Sequence, residues 1–578
     1  SGALGNSISP IVLGVESTNN AGSLGVAGRF TIGRDIMVVA APGTGVNLLE
    51  GRSAEKTTVI GGISLATGTL LTVGAAAADA TTFRGGALDL QGSISGPGAL
   101  IVGTTAAAPA NAGTVIFGAN SNGYGINTYS GGTTFQTARV QLVGTSYFTG
   151  PASAPTIISG PLGTGPITFG NATQFGESNR GAVFEAVGGP VTIVNAFNAI
   201  SAAANTSTVF GGHEALTFTR DLNLSSDTAI RSRSFTVQNM YQPVSFIGNL
   251  TNTGAQGVNL VKNGPGLLIL SGTNSMANLL TTDGNYGTGV FIDSGVLQVN
   301  SDAALGSTAT LSAFGPHLAG PADVRLRGGY LSVSNGFTTS RQFILTNSSG
   351  GIDVAAGQSL TLTTATAGAF NIRKVGSGTL ALNNSANTIT NLTLGGAQQL
   401  SSNMSYSGHL GGTVSTTATS GTPFAVTSAT INSGTLSLVG GSVAQALSIP
   451  TINYGAAAQI ALNAGTAGTQ LTASTALARL GAFNSVNYGT LTINPSLLAN
   501  LGSTEKVIVT TGAPANSALT GGDILTVPSI FVALSGSGQD ANFARYDAVN
   551  GIREQNVTEV TTLATTAATN VANVSAAD

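Results

Sequence analysis

One short unit of sequence recurs along the chain, and this repetition limits the fold more than any other feature. The unit is a Gly-x-Gly turn, a strand in which apolar and small or polar residues alternate, a polar turn, and a Thr-rich strand. Copies lie at 95–102, 262–274 and 374–390. Recurring short strands are the signature of a solenoid, in which each unit stacks on its neighbours.

Further alternating strands lie between these copies, separated by Gly, Asn and Ser at intervals of about ten residues. Their period of two places Leu, Val and Ile on an inward face and Thr, Ser, Asn and Gln on an outward face. The predicted strands are 87–90, 114–117, 140–143, 296–299, 324–326, 330–333, 360–362, 380–382, 392–394, 436–438 and 491–493.

This pattern predicts an all-β fold, a right-handed parallel β-helix (β-solenoid) with one rung for roughly every 20 residues. Gly and Asn suit its corners because they tolerate positive φ. We expect a single elongated rod, since no linker or change of composition divides the chain. A row of sandwich domains is the alternative fold.

The composition excludes several classes of function. Charged residues make up 7% of the 578 residues, against about 25% in an ordinary soluble domain. Hydrophobic residues make up 42%, too many for a disordered chain. The net charge is −3 and lysine occurs at four positions, so we expect no nucleic-acid partner.

Neither a signal peptide nor a membrane span is expected. The segment 1–5 lacks a charged region followed by an apolar one, which predicts a processed chain. Apolar runs such as 36–42 and 74–80 are too short to cross a bilayer.

Residues that carry chemistry are sparse. The chain has no Cys, and its histidines, His213, His317 and His409, lie far apart with no partner at metal-ligand spacing. We therefore predict no metal, no cofactor and no catalytic residue, with the three histidines in turns or on the surface.

The densest ionic cluster in the middle of the chain allows two interpretations. It is either a salt-bridged surface turn or contact between subunits, or an active site. The first is favoured because the spacing matches no catalytic pattern and no third carboxylate is near its Asp pair. The cluster comprises Glu214, Arg220, Asp221, Asp227, Arg231 and Arg233.

The repeats resemble the autotransporter-associated β-strand repeat of large secreted bacterial proteins. The segment 127–134, Asn-Thr-Tyr-Ser-Gly-Gly-Thr-Thr, matches the central turn of that family, and a lysine precedes the Gly-rich turn at 262–266 and 374–378. The second copy departs from the pattern at 274–276, and the third lacks the Gly-Gly. The resemblance covers about 85–400 and implies a parallel β-helix that is extracellular or on a bacterial cell surface.

The two ends differ from the solenoid body predicted at 61–550. Residues 1–60 are richer in charge, which predicts a cap or docking region. The tail at 551–578 has apolar residues at steps of three and four, which predicts a short amphipathic helix, with a frayed terminus as the alternative. The residues predicted to mediate assembly are Arg29, Arg34, Val557, Val560, Leu563, Val571 and Val574.

Three hypotheses for function follow. The favoured one is a structural protein, not an enzyme, whose subunits bind one another end to end through their terminal regions in a surface filament, sheath or matrix. The second is an autotransporter passenger acting as a monomeric adhesin or stalk, with cell-surface or matrix polysaccharide as a partner. The third is a β-helix enzyme that acts on polysaccharide.

Overall fold

A computed structural model describes most of the chain. The described residues are 8–15, 20–39, 47–75, 86–103, 113–136, 138–169, 182–199, 206–224, 231–253, 257–276, 289–307, 323–345, 350–364, 370–396, 411–417, 424–480, 489–514, 529–533 and 541–554. They fall into two compact units, unit one up to Gly351 and unit two from Ile352.

Unit one is built from short strands of two to seven residues. Its strands are β1 (Ile11–Leu13), β2 (Ser23–Val26), β3 (Thr31–Ile32), β4 (Ile36–Val38), β5 (Asn47–Gly51), β6 (Lys56–Val59), β7 (Ile63–Leu65), β8 (Leu70–Ala75), β9 (Ala87–Leu90), β10 (Ile94–Ser95), β11 (Ala99–Val102), β12 (Thr114–Phe117), β13 (Thr133–Phe135), β14 (Arg139–Val143), β15 (Tyr147–Thr149), β16 (Thr156–Ser159), β17 (Ile167–Phe169), β18 (Val183–Val187), β19 (Val191–Ile193), β20 (Thr206–Gly212), β21 (Leu216–Phe218), β22 (Leu222–Asn223), β23 (Arg231–Val237), β24 (Val244–Phe246), β25 (Leu250–Thr251), β26 (Val258–Asn263), β27 (Leu267–Leu270), β28 (Gly289–Ile292), β29 (Val296–Val299), β30 (Asp323–Leu326), β31 (Tyr330–Val333), β32 (Phe337–Thr339) and β33 (Phe343–Leu345).

Parallel pairing of strands that are distant in sequence makes unit one a β-helix. In the first rungs every third strand pairs, so that Ile11, Ile36, Ile63 and Ile94 stack in one column. A 12-stranded parallel sheet runs from β3 to β33. Strands β1–β6 continue into the same sheets as β7–β9, with no break in pairing near residue 60.

The predicted rung of roughly 20 residues is too short for unit one. Hydrogen bonds between successive rungs join residues 24 apart at Leu250 and Asn274, and 34 apart at Asn127 and Pro161. The first rungs contribute strands to three sheets, and corner loops of varying length join these strands. The third strand and the loops add residues to a rung that the sequence pattern did not include.

The interior of unit one holds a ladder of phenylalanines. Phe135 contacts Phe184 with ring centroids 4.7 Å apart, and Phe184 leads to Phe210 at 6.1 Å. Phe235 lies 5.8 Å from Phe210 and 5.0 Å from Phe246. Aromatic pairs at these distances stabilise a core by about 1 kcal/mol each beyond their burial.

Unit two has the same parallel architecture with longer strands. Its strands are β34 (Gly351–Val354, which begins at the last residue of unit one), β35 (Ser359–Leu362), β36 (Phe370–Val375), β37 (Thr379–Leu382), β38 (Thr388–Leu394), β39 (Thr413–Thr416), β40 (Ala425–Val439), β41 (Gln445–Asn463), β42 (Thr469–Arg479), β43 (Leu491–Pro495), β44 (Glu505–Val509), β45 (Ile530–Ala533), β46 (Ala541–Asp547) and β47 (Gly551–Glu554).

One fully buried column shows how unit two stacks. It pairs residues of β35, β37, β39, β40, β41, β43 and β45 in register, and every member is 0% exposed. Strands β40 and β41 pass round corners, where the register shifts between Ile431 and Ser433 and between Ile449 and Thr451. The column comprises Leu360, Leu380, Val414, Leu436, Ile460, Ile493 and Val532.

The last described strands of unit two depart from parallel stacking. Strands β45, β46 and β47 pair antiparallel. The Tyr546 hydroxyl holds this hairpin on β44, because it donates to the Val509 carbonyl at 2.6 Å and accepts from the Val509 N–H at 3.1 Å.

The parallel β-helix predicted from the sequence is confirmed, and every predicted strand is a strand. Parallel pairing excludes the alternative of sandwich domains, whose sheets are antiparallel. Helical residues in the described ranges are confined to two 3₁₀ turns, Asp302–Leu305 and Leu498–Asn500. The predicted C-terminal helix falls mainly in 555–578, outside the described residues.

Candidate functional site

A β-hairpin leaves the solenoid between β14 and β17. Its strands, β15 and β16, pair antiparallel. The base of the hairpin lies along β19, where the Ser146 N–H donates to the Thr192 carbonyl at 2.9 Å and the Thr192 N–H donates to the Thr145 hydroxyl at 2.9 Å. β19 is the end strand of its sheet, and these bonds occupy part of its free edge. They therefore make that edge less available for pairing with another chain.

The tip of this hairpin is tied to a corner of the solenoid 67 residues away in sequence. The Arg220 guanidinium donates to the Ser153 carbonyl through Nη1. The Thr219 hydroxyl donates to the Ala152 carbonyl at 3.3 Å. Because both ends of the hairpin are held, its tip has a defined position above the neighbouring rungs.

A cleft of about 480 Å³ lies between the hairpin tip and three solenoid corners. The corners follow β19, β21 and β24, and they contribute the segments 196–197, 219–221 and 247–249. Since these strands pair in register, equivalent positions of the three corners repeat at the rung spacing of about 4.8 Å.

The walls of the cleft combine polar groups with apolar surface. The Asp221 carboxylate accepts the Asn249 N–H at 2.7 Å, and the Asn249 side-chain oxygen accepts the Thr273 N–H at 2.8 Å. The Phe197 ring is stacked on Phe169 at 5.3 Å and also faces the cleft. Ile247 is 52% exposed there.

The predicted ionic cluster is divided between this cleft and the protein interior. Arg220 and Asp221 line the cleft, whereas Arg233 is fully buried and donates to the Leu224 carbonyl at 2.7 Å. The Glu214 carbonyl accepts a hydrogen bond from Asn239 at 2.8 Å, at another corner. Asp227 and the side chain of Arg231 lie outside the described residues.

The predicted turn position of His213 is confirmed. It is exposed at a corner, with its ring 4.7 Å from that of Tyr241. His317 and His409 lie outside the described residues.

In the described part of the chain no group of three or more His, Cys, Asp or Glu could hold a metal ion. Across the same ranges no helix is long and apolar enough to cross a membrane.

The predicted assembly residues have different positions. Arg34 is half-buried, and its guanidinium donates to the Ser9 carbonyl at 2.8 Å through Nε, which ties the turn before β4 to the segment before β1. Arg29 is exposed. Val557, Val560, Leu563, Val571 and Val574 lie outside the described residues.

The first rung, defined here as β1–β3, has one-sided pairing. Among the described residues each of its strands has a parallel partner on one side, in β4, β5 and β6 respectively. Large apolar side chains are exposed on and beside this rung. They are Ile8 (103% exposed), Val12 (53%), Val15 (50%) and Phe30 (43%).

Two buried lysines hold corners of the solenoid, and Lys262 also links two rungs, a role that was not predicted from the sequence. The Lys262 ammonium donates to the carbonyls of Asn263 at 2.8 Å, Gly264 at 2.7 Å and Ser294 at 3.1 Å. Lys374 donates in the same way to the carbonyls that follow it, at 2.6 and 2.8 Å. One feature of the sequence could have indicated this role. Two of the four lysines, Lys262 and Lys374, occupy the same position of the repeat, directly before the Gly-rich turn.

Buried asparagines link rungs in a second way. Asn274 accepts the Leu250 N–H at 2.7 Å and donates to the Ala304 carbonyl at 2.6 Å. Asn127 accepts the Ile94 N–H at 2.8 Å and donates to the Pro161 carbonyl at 2.7 Å. One amide thus satisfies backbone groups of two neighbouring rungs that would otherwise be buried without a partner.

Stability is expected to rise with pH because of Lys262. Burial lowers the pKa of Lys262 from 10.5 to about 7. Between these values the unfolded chain keeps the proton and the folded chain loses it, so the unfolding free energy increases by about 1 kcal/mol per pH unit. Urea unfolding from pH 7 to pH 10 measures this slope.

Two variants isolate the effect of that lysine. Lys262→Met should lower the slope by about 1 kcal/mol per pH unit and leave the contribution of Lys374, whose pKa is lowered by burial to about 8. Lys506→Met should preserve it, because Lys506 makes an exposed hydrogen bond to the Val549 carbonyl. An identical slope in the unsubstituted protein and in Lys262→Met would contradict the prediction.

The chain matches no protein-family model, no curated protein and no solved structure. The resemblance to the autotransporter-associated repeat therefore stays a prediction that rests on the residues carrying it.

Proposed function

We propose that this chain is an extracellular structural protein of a bacterial surface or matrix, whose subunits assemble end to end into a filament or sheath. The single observation that carries the proposal is the first rung. Its three strands pair on one side among the described residues, and apolar side chains are exposed beside them.

Strand edges of this kind favour association. Unpaired N–H and C=O groups on an edge strand accept a further strand from another chain. Charged residues make up 7% of the chain, so electrostatic repulsion between subunits is weak. A second copy that pairs with β1–β3 would also cover part of the exposed surface of Val12 and Phe30.

The hypothesis of a polysaccharide-acting enzyme gains no support from the cleft. Hydrolysis of a glycosidic bond commonly uses two carboxylates that lie about 5 to 10 Å apart. Asp221 is the sole carboxylate among the described residues that line the cleft. The monomeric adhesin remains the main alternative to assembly.

Substitution of the exposed face of β1 is expected to block assembly. Electron microscopy at micromolar concentration should show the unsubstituted protein as fibres of uniform width with a regular axial repeat. Val12→Lys should reduce the fibre fraction at least tenfold, because it places a charge at the proposed contact.

A matched control is Val443→Lys, which changes a valine of similar exposure (42% against 53%) in a turn of unit two. This variant should assemble like the unsubstituted protein. Dispersed single particles of the unsubstituted protein, or equal assembly of the Val12→Lys and Val443→Lys variants, would refute end-to-end assembly through this rung.

A further inference from the structure

We propose that the cleft beside the β15–β16 hairpin binds a neutral carbohydrate chain. This inference is independent of assembly, since it concerns the side of unit one and none of the residues of β1–β3. It rests on the shape of the cleft, on its balanced charge, and on the pairing of an apolar face with groups that donate and accept hydrogen bonds.

The size and construction of the cleft suit a small ligand or a short stretch of a chain. Ligand pockets commonly measure about 300 to 1,000 Å³, and this cleft measures about 480 Å³. Its walls are preorganised, because three corners are fixed by parallel strands and the tip of the hairpin is held by Arg220. Preorganised walls reduce the conformational entropy that binding would otherwise remove.

The charge of the cleft favours a neutral ligand over an anion or a cation. Arg220 and Asp221 are adjacent, and they are the charged residues among the described lining. Their charges balance, so the lining as a whole has no excess charge of one sign that would attract an ion. Arg220 also has one guanidinium nitrogen bound to the Ser153 carbonyl.

The arrangement of polar and apolar groups matches the two kinds of surface that a sugar ring presents. Hydroxyl groups both donate and accept hydrogen bonds, which Asp221, Arg220 and the Asn249 amide can satisfy in turn. The C–H face of a pyranose ring is apolar and packs on aromatic or aliphatic side chains. Phe197 and Ile247 supply such a surface across the cleft.

The periodicity of the solenoid adds an argument for a chain of sugars over a single compact ligand. The three corners place Ala196, Asp221 and Asn249 at equivalent positions of successive rungs, and Phe197 lies one residue beyond Ala196. Consecutive contacts are thus offered at intervals of about 4.8 Å, which is comparable to the length of one sugar unit.

The direct test is a glycan array that carries neutral, anionic and amine-bearing oligosaccharides, probed with the full chain. Neutral oligosaccharides should bind most strongly. Isothermal titration calorimetry with the best neutral oligosaccharide then compares two matched variants. Ile247→Arg should weaken binding at least tenfold, because it fills the cleft, whereas Ile158→Arg should bind normally.

The control variant Ile158→Arg makes the same substitution at an isoleucine of similar exposure in another place. Ile158 is 44% exposed on the hairpin and does not line the cleft, whereas Ile247 is 52% exposed and does. Both positions face solvent, so neither variant should disturb folding, and a circular dichroism melting curve verifies this. A second variant, Asp221→Asn, keeps the bond to the Asn249 N–H and should shift preference on the array towards anionic glycans.

Three results would overturn the proposal. These are an array on which no neutral oligosaccharide binds, a stronger signal for anionic glycans with the unsubstituted protein, and equal affinity of the Ile247→Arg and Ile158→Arg variants. Binding is measured on dispersed protein and on fibres alike, so failure of assembly and failure of carbohydrate binding can be told apart.

Discussion

Gly295→Ala is expected to destabilise unit one by about 4 kcal/mol or more, which is an exceptional effect for a single methyl group. Gly295 has φ 65°, a conformation that costs other residues about 1–2 kcal/mol. An added Cβ would also lie 2.3 Å from the Gly264 carbonyl oxygen and 2.7 Å from the Gly266 carbonyl oxygen. Neither backbone group can move without disrupting the Lys262 corner.

Gly123→Ala separates the two causes. Gly123 has φ 76°, and a Cβ there would meet no atom within 4 Å. It should therefore show the conformational penalty of about 1–2 kcal/mol alone. Urea unfolding monitored by circular dichroism gives the difference, and hydrogen exchange should locate the lost protection in β26–β31. Equal effects of the two substitutions would contradict the close approach at Gly295.

Asn274→Leu is expected to destabilise unit one by about 3 kcal/mol, although leucine has the same number and branching of side-chain heavy atoms. The substitution leaves the Leu250 N–H and the Ala304 carbonyl buried without their partner. An unsatisfied buried backbone group costs about 1–3 kcal/mol. Asn127→Leu should behave in the same way, because that amide makes the equivalent pair of bonds.

The control for this prediction is Asn122→Leu. Asn122 is exposed in a turn, so the substitution should change the unfolding free energy by less than about 0.5 kcal/mol. Urea unfolding compares the three variants. A loss below 1 kcal/mol in Asn274→Leu would show that the amide does not link the rungs energetically.

The strands and the class of fold could be predicted because they depend on local order. The alternation of apolar with small or polar residues at 87–90 or 436–438 can be seen within four residues. It determines which side chains face inward, whatever the position of the strand in the solenoid. The repeated lysine and Gly-rich turn likewise indicated that copies stack. The predicted rung length was too short for unit one, because its corner loops differ in length and their residues follow no periodic pattern.

The candidate site could not be predicted in the same way. Arg220 and Asp221 were singled out for their charge, but their neighbours Ala152, Ser153 and Phe197 carried no signal. A local clue was present in Pro151 and Pro155, which interrupt the ten-residue spacing of strands where the hairpin leaves the solenoid. That clue indicates an excursion without showing which corner it reaches.

The amino-acid sequence by itself determined the β-strand class, the inward and outward faces and the stacking of repeats. Only the tertiary structure decided which corners meet, which lysines and asparagines link rungs, and where the hairpin tip lies. The physical reason is the range of the interactions. Alternation acts between adjacent residues, whereas the contact of Arg220 with Ser153 spans 67 residues and depends on the length of every rung between them.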